Sequence, residues 1–236
     1  MRLGIMGGTF DPIHLGHLRA AEEIYRGFGL DQIIFVPAAC PPHKDVVIAS
    51  ARHRYEMVSL ATVFTPYFTV SPIELERPGK SYSIETVREL QRLADPGTRL
   101  YFIVGVDTFL EMPEWREAGE LLDRTQLIVA ARPGWRLDEV ERLLTPAQRR
   151  VLGDPSFRYC KVDEVDPERL EREAAPRRVL LVEVVSLEIA SREIRRLVEK
   201  GRSVRHLVPD PVAAYMAKHR LYQPAARTDR GGAAGR

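Results

Sequence analysis

The stretch GGTFDPIHLGH, residues 7 to 17, gathers the groups in this chain best able to do chemistry. His14 and His17 stand three residues apart, behind Pro12 and beyond the Gly7-Gly8 pair. An imidazole can donate a hydrogen bond, carry charge near neutral pH or ligate a metal. Three readings of the pair follow: rings packed in a core, two donors facing an anion, or part of a zinc site. Zinc needs at least a third protein ligand. No HExxH pattern or cysteine cluster supplies one, because Cys40 and Cys160 are the only cysteines and lie far apart. The core and anion readings stay open on these residues alone.

A strand and a helix must position the pair. RLGIM predicts a strand over 2–6 that ends at the glycines, and a helix is predicted over 13–28. On that helix, positions 14, 17, 21, 24 and 28 share one face and read His, His, Ala, Ile, Phe. Its inner end is apolar and its outer end is two imidazoles. Pro12 sits ahead of the helix, where a missing N–H does no harm, and Asp11 is placed to cap the first turn. Unpaired N–H groups and the positive dipole end would then face the glycine turn, an anion-binding arrangement. Gly7 and Gly8 would let a phosphate approach the backbone, and Gly16 would keep space open between the histidines.

The rest of the chain repeats this unit. QIIFVP (32–37), FTVSPI (68–73), RLYFIVG (99–105), QLIVAA (126–131) and RVLLVEVV (178–185) read as strands buried on both faces. Helical segments are predicted at 50–63, 83–94, 114–122 and 191–200. This alternation predicts an α/β fold with a doubly wound, mostly parallel sheet and C-terminal helices. Ligands bind such sheets at the carboxyl ends of strands, near the switch in strand order. Residues 136–176 are charged and helix-prone, which predicts a helical excursion from a single domain spanning 1–223. The Gly/Ala/Arg-rich tail 224–236 predicts disorder.

Composition narrows the classes. The 236 residues are 44% apolar, enough for a core, and 29% charged, with a formal balance of only +2. That balance argues against a nucleic-acid binder, which usually presents a strongly basic face. No apolar run approaches the ~20 residues of a membrane helix, and the start lacks a signal-peptide pattern. A soluble cytoplasmic protein is expected. Gly79-Lys80-Ser81 imitates the end of a phosphate loop, but that loop needs a glycine at position 74, which is Glu.

GGTFDPIHLGH resembles the signature of the HxGH nucleotidyltransferases, with His14-Leu15-Gly16-His17 as HxGH. PAACPPHK (37–44), SYSIET (81–86), FIVGVDTFLEMPEWREAGELL (102–122), LIVAARPG (127–134) and LVPDPVAAYMAKHRLY (207–222) are similar, in matching order, to the bacterial nicotinate mononucleotide adenylyltransferases. The resemblance implies a Rossmann-like nucleotidyltransferase fold and a reaction between ATP and nicotinic acid mononucleotide. It implies magnesium held mainly by substrate phosphates, with no protein metal site. It implies that His14, His17 and Arg195 act on the phosphates. Gly7, Gly8, Thr9, Phe10, Gly105, Asp107, Ser191 and Ile194 would border ATP. Lys44, Ser83, Thr86, Trp115 and Arg132 would border the mononucleotide. IASREIR (189–195) departs from the family's I-S-[SA]-T-x-I-R at Ala190 and Arg192, removing two hydroxyls and adding a cation. The same chemistry on nicotinamide mononucleotide or phosphopantetheine, and a non-catalytic nucleotide-binding regulator, are the alternatives. Self-association is left open.

Overall fold

The computed structural model describes residues 1–42, 49–131, 137–173, 175–185 and 187–224. The first half of the chain alternates β1 (Arg2–Gly8), α1 (Leu15–Gly27), β2 (Gln32–Pro37), α2 (Ala51–Thr62), β3 (Phe68–Val70), α3 (Ile73–Glu76) and α4 (Ser83–Leu93). Then come β4 (Arg99–Gly105), α5 (Val106–Glu111), α6 (Ala118–Arg124), β5 (Gln126–Ala131), α7 (Leu137–Leu143) and α8 (Pro146–Val151). The last part comprises β6 (Ser156–Lys161), α9 (Pro167–Arg172), β7 (Arg178–Glu183), α10 (Ser191–Glu199) and α11 (Asp210–Lys218).

The seven strands form one sheet in the order β3-β2-β1-β4-β5-β7-β6, and every pair is parallel. The α/β fold and doubly wound sheet expected from the sequence are what the chain forms. Successive side chains of a strand point to opposite faces, so each apolar run feeds two cores. Leu3 and Ile5 of β1, with Leu100, Phe102 and Val104 of β4, pack under α4, α5 and α6. Met6, Tyr101 and Ile103 pack on the other face against Ala21 and Ile24 of α1, Met57 and Val58 of α2, and Met216 of α11. Each such buried side chain is worth ~1.5–3 kcal/mol of transfer free energy. The chain winds outward from β1 through β2 to β3, then returns to place β4 on β1's other side. The switch point therefore lies between the carboxyl ends of β1 and β4.

Several predicted boundaries shift. The excursion 136–176 is not wholly helical: it contributes the edge strand β6, paired with β7 from Ser156↔Arg178 to Lys161↔Glu183. Its sequence, SFRYCK, has no apolar run because an edge strand is only partly covered. β1 continues through both glycines to Gly8, and α1 starts at Leu15. The segment predicted as one helix over 114–122 is broken. A 3₁₀ turn at Met112–Glu114 is followed by Glu117 in the left-handed region (φ 54°), and α6 begins only after it. Lys44, Arg132 and the predicted disordered tail from 225 onward lie outside the described residues.

The excursion docks on the first crossover helix. A Cβ built on Gly27, the last residue of α1, would lie 2.4 Å from Val162 Cγ2 and 2.8 Å from its carbonyl oxygen. Alanine normally favours a helix over glycine by ~1 kcal/mol, but overpacking against backbone costs ~1–3 kcal/mol. Gly27→Ala is therefore expected to lower the denaturant midpoint. A rise would show that the 162–164 turn is not seated on α1.

Candidate active site

A cleft of about 290 Å³ opens at the switch point. Its walls include Gly7 and Gly8 at the end of β1, Thr9 and Phe10 just beyond, Gly105 and Asp107 where β4 meets α5, and His14, His17, Ser191 and Arg195 from the starts of α1 and α10. A second cavity of about 260 Å³ shares Gly7, Gly8, Thr9 and Thr108 with the first. Pro41, Pro42, Ser81, Ser83, Trp115 and Arg116 are among its other walls. The two spaces thus meet across the end of β1.

The histidines are built into the start of α1. His14 is the N-cap: its Nδ1 accepts the His17 N–H at 3.3 Å, and His17 Nδ1 accepts the His14 N–H at 3.3 Å. The rings stack with centroids 3.6 Å apart and planes 21° from parallel. When Nδ1 accepts, the neutral ring carries its hydrogen on Nε2. The local fold thus sets one tautomer on both rings, with Nε2–H as the donor. Phe10 presents its ring at 81° to His17, centroids 5.2 Å apart. A Cβ on Gly8 would meet that ring at 2.9 Å, so Gly8 makes room for Phe10. A Cβ on Gly16 would lie 3.0 Å from His14 Nδ1 and 3.2 Å from the Leu187 carbonyl oxygen. Gly16 thus admits the His14 ring beneath it rather than separating the two rings.

Two expectations about this helix start are corrected. Asp11 does not cap α1; the capping position is His14's, and the Asp11 carboxylate is occupied elsewhere. The first-turn amides are also largely engaged, since the Leu15 N–H donates to the Leu207 carbonyl at 3.0 Å and the His17 N–H to His14. The imidazoles, more than the amides, are what the helix start offers to a ligand.

Residues 9–12 are held from several directions. Asp11 is buried, at 5% exposure. Its Oδ1 accepts the Tyr222 hydroxyl at 2.6 Å and the Ala49 N–H at 3.2 Å. Burial and the bond to Asp11 push the Tyr222 hydroxyl far above an ordinary phenol, so it stays a donor. Arg195 Nη1 donates to the Asp11 carbonyl at 2.6 Å, and the Ser191 hydroxyl to the Pro12 carbonyl at 2.9 Å. Arg54, at 1% exposure, donates to the Thr9 carbonyl at 2.7 Å. Asp11 entered the sequence reading only as a helix cap, Tyr222 only as the last residue of the 207–222 motif, and Arg54 not at all. Arg54 lies in an otherwise ordinary helix and Tyr222 is remote in sequence, so no local pattern ties either to the loop after β1.

Of the predicted residues, those near ATP gather in the first cleft with one exception. Ile194 is buried in the core at 1% exposure, where it seats α10, and it is absent from the cleft wall. Ser83 and Trp115 line the second cavity, and Trp115 rests edge-on against Phe102 with centroids 6.3 Å apart. Thr86 does not line it. At 2% exposure, its hydroxyl donates to Glu74 Oε1 at 2.6 Å and accepts from Arg77 at 2.8 Å. It supports Glu74, which does face the cavity. Among the described residues, no group of three His, Cys, Asp or Glu is placed to hold a metal ion, and no helix is long and apolar enough to cross a membrane.

A doubly wound parallel sheet with paired imidazoles and a guanidinium at its switch point has the frame of a nucleotidyltransferase. The cytidylyltransferase-like family matches residues 5–197. The probable nicotinate-nucleotide adenylyltransferase of Geobacter metallireducens is 42% identical, over 94% of this chain and 98% of its own length. One from Thermus thermophilus is 41% identical, over 94% of this chain and all of its own. The Plasmodium falciparum nicotinic acid mononucleotide adenylyltransferase, solved in complex with NaAD, superposes with a TM-score of 0.66 at 17% identity, covering 94% of this chain and 97% of that one. The chain belongs to the cytidylyltransferase-like family and, within it, to the nicotinate-nucleotide adenylyltransferases.

The capping geometry has a spectroscopic consequence. Nitrogen-15 NMR of the imidazoles at neutral to alkaline pH is expected to show His14 and His17 as Nε2–H tautomers. A Nδ1–H tautomer on either would mean that the reciprocal cap is not formed.

Proposed function

We propose that this chain transfers the adenylyl group of ATP to nicotinic acid mononucleotide within these two adjoining cavities, giving nicotinic acid adenine dinucleotide and pyrophosphate. The triphosphate lies over His14, His17 and Arg195, with Gly105 and Asp107 beside the adenosine ribose. The mononucleotide occupies the cavity of Trp115 and Ser83. The observation that carries this reading is the shared wall of Gly7, Gly8 and Thr9. It allows the phosphate of one nucleotide to meet the α-phosphate of the other. Lys44 and Arg132 are proposed as further cations for the phosphates on the mononucleotide side.

The chemistry asks little covalent work of the protein. A phosphate oxygen of the mononucleotide attacks the α-phosphorus in line, the bond to the β-phosphate breaks, and pyrophosphate departs. The nucleophile is already an anion, so no general base is required. What remains is orientation and stabilisation of growing negative charge. Nε2–H donors of fixed tautomer and the Arg195 guanidinium suit that task, since they need little reorganisation as the charge shifts. Asp11 is occupied by Tyr222 and Ala49, and Asp107 is an exposed single carboxylate. A magnesium ion would accordingly be held mainly by the triphosphate's oxygens and would neutralise phosphate charge when bound, with Asp107 an exposed carboxylate on the cleft wall. The reading includes a cytoplasmic location.

Pyrophosphate release measured with ATP and each mononucleotide tests the reading. The acid is expected to outpace the amide, and no release with either would favour a regulator that only binds nucleotide. His17→Ala is expected to lower kcat by ~10²–10³ while leaving the folded fraction intact, the scale seen on removing one transition-state donor. Trp115→Ala is expected to weaken mononucleotide binding by ~1–3 kcal/mol, with ATP little affected. Equal loss for both nucleotides would remove Trp115 from the mononucleotide cavity.

A further inference from the structure

Arg54 is among the largest fully buried side chains, and it is charged. It lies in the first turns of α2, behind the cleft loops, and lines neither cavity. Placing a guanidinium out of water costs several kcal/mol unless its donors are satisfied. Here each of its three nitrogens donates to a main-chain carbonyl, from three places: Nε to Ala49 at 3.1 Å, Nη1 to Thr9 at 2.7 Å and Nη2 to Ala39 at 3.1 Å. Burial draws its pKa down and the Asp11 carboxylate opposes that shift; an arginine in such a setting keeps its charge.

The three carbonyls lead to different parts of the site. Thr9 belongs to the wall common to both cavities. The amide of Ala49 donates to Asp11, whose own carbonyl receives Arg195. The amides of Ala39 and Cys40 both donate to Ser81 Oγ, at 2.9 and 3.1 Å, and the Cys40 carbonyl accepts the Ser81 N–H at 2.9 Å. Ser81, Pro41 and Pro42 line the second cavity. One planar fork thus spans the phosphate side and the mononucleotide side. Its fixed geometry sets the spacing of the three carbonyls, which a single ammonium on a flexible stem cannot do.

We infer that Arg54 is a positioning residue that keeps the two half-sites in register, so that disturbing it weakens both nucleotides together. The inference rests on the functional reading above, with ATP and the mononucleotide in adjoining cavities. A residue serving stability alone would lower the melting temperature without moving the Michaelis constants.

The experiment compares Arg54→Lys with Met57→Ala, which removes a buried side chain of the same helix that lines neither cavity. Thermal midpoints, kcat and KM for ATP and for nicotinic acid mononucleotide are measured on each full-length variant. Arg54→Lys is expected to raise both KM values about fivefold or more and to lower kcat, as sub-ångström misplacement does. Met57→Ala is expected to lose stability with both KM values within about twofold of wild type. Unchanged KM values in Arg54→Lys, a change confined to one nucleotide, or the same shifts in Met57→Ala would each overturn the inference. A wild-type chain that forms no dinucleotide would instead overturn the functional reading. Should Arg54→Lys fail to fold, Ser81→Ala decides. Ser81 lines only the mononucleotide cavity, so a KM rise for ATP as well is expected through Ala39 and Arg54, and an effect on the mononucleotide alone would overturn the inference.

Discussion

Five residues from three segments distant in sequence converge on the four residues from Thr9 to Pro12. Arg54 takes the carbonyl of Thr9, Arg195 that of Asp11 and Ser191 that of Pro12. Tyr222 and the amide of Ala49 take the Asp11 carboxylate. A buried loop carries main-chain polar groups that must find partners, and here side chains from α2, α10 and the segment after α11 brace it. The same bonds that make the loop tolerable in the interior also fix where β1 hands over to the histidine-bearing helix. Fold and site are therefore not separable at this point of the molecule.

The charges around the cleft are arranged in two tiers. Arg54 is sealed from solvent and spends its donors on carbonyls. Arg195 keeps about a quarter of its side chain exposed, with one nitrogen on the Asp11 carbonyl and 3.9 Å from the Asp11 carboxylate. A partly exposed guanidinium anchored at one end can present its remaining donors to phosphate with little loss of side-chain freedom on binding. The histidines follow the same logic. Each ring is held by a main-chain amide at Nδ1 and stacked on its neighbour. Donors held in place before the substrate arrives are those that contribute most to stabilising developing charge.

Much of this was legible in the sequence because apolar periodicity reports burial directly. β2, β4 and β5 lie within the bounds their Val/Ile/Phe runs predict, and the 14-17-21-24-28 stripe does carry imidazoles at one end and core at the other. Illegible parts have physical reasons. β6 is an edge strand and needs no apolar run. Thr86 and Ile194 sit in site-like motifs, yet one holds a buried carboxylate and the other fills the core, since a motif includes the residues that seat it. The capping role of His14 was masked by Asp11, a better capping residue in isolation, because tertiary bonds from Tyr222 and Ala49 claim that carboxylate. Arg54 gives no periodic signal at all, because its partners are carbonyls, and every residue has one.

The reach of Tyr222 back to Asp11 spans 211 positions, and α10 closes on the same loop from 184 positions away. During synthesis, the histidine pair and most of the sheet emerge long before either partner does. A ribosome-bound chain halted after β5 would display the signature stretch intact, yet its buried carboxylate would lack the hydroxyl and guanidinium that settle it. The loop between β1 and α1 is therefore fully braced only once α10 and Tyr222 have joined the sheet.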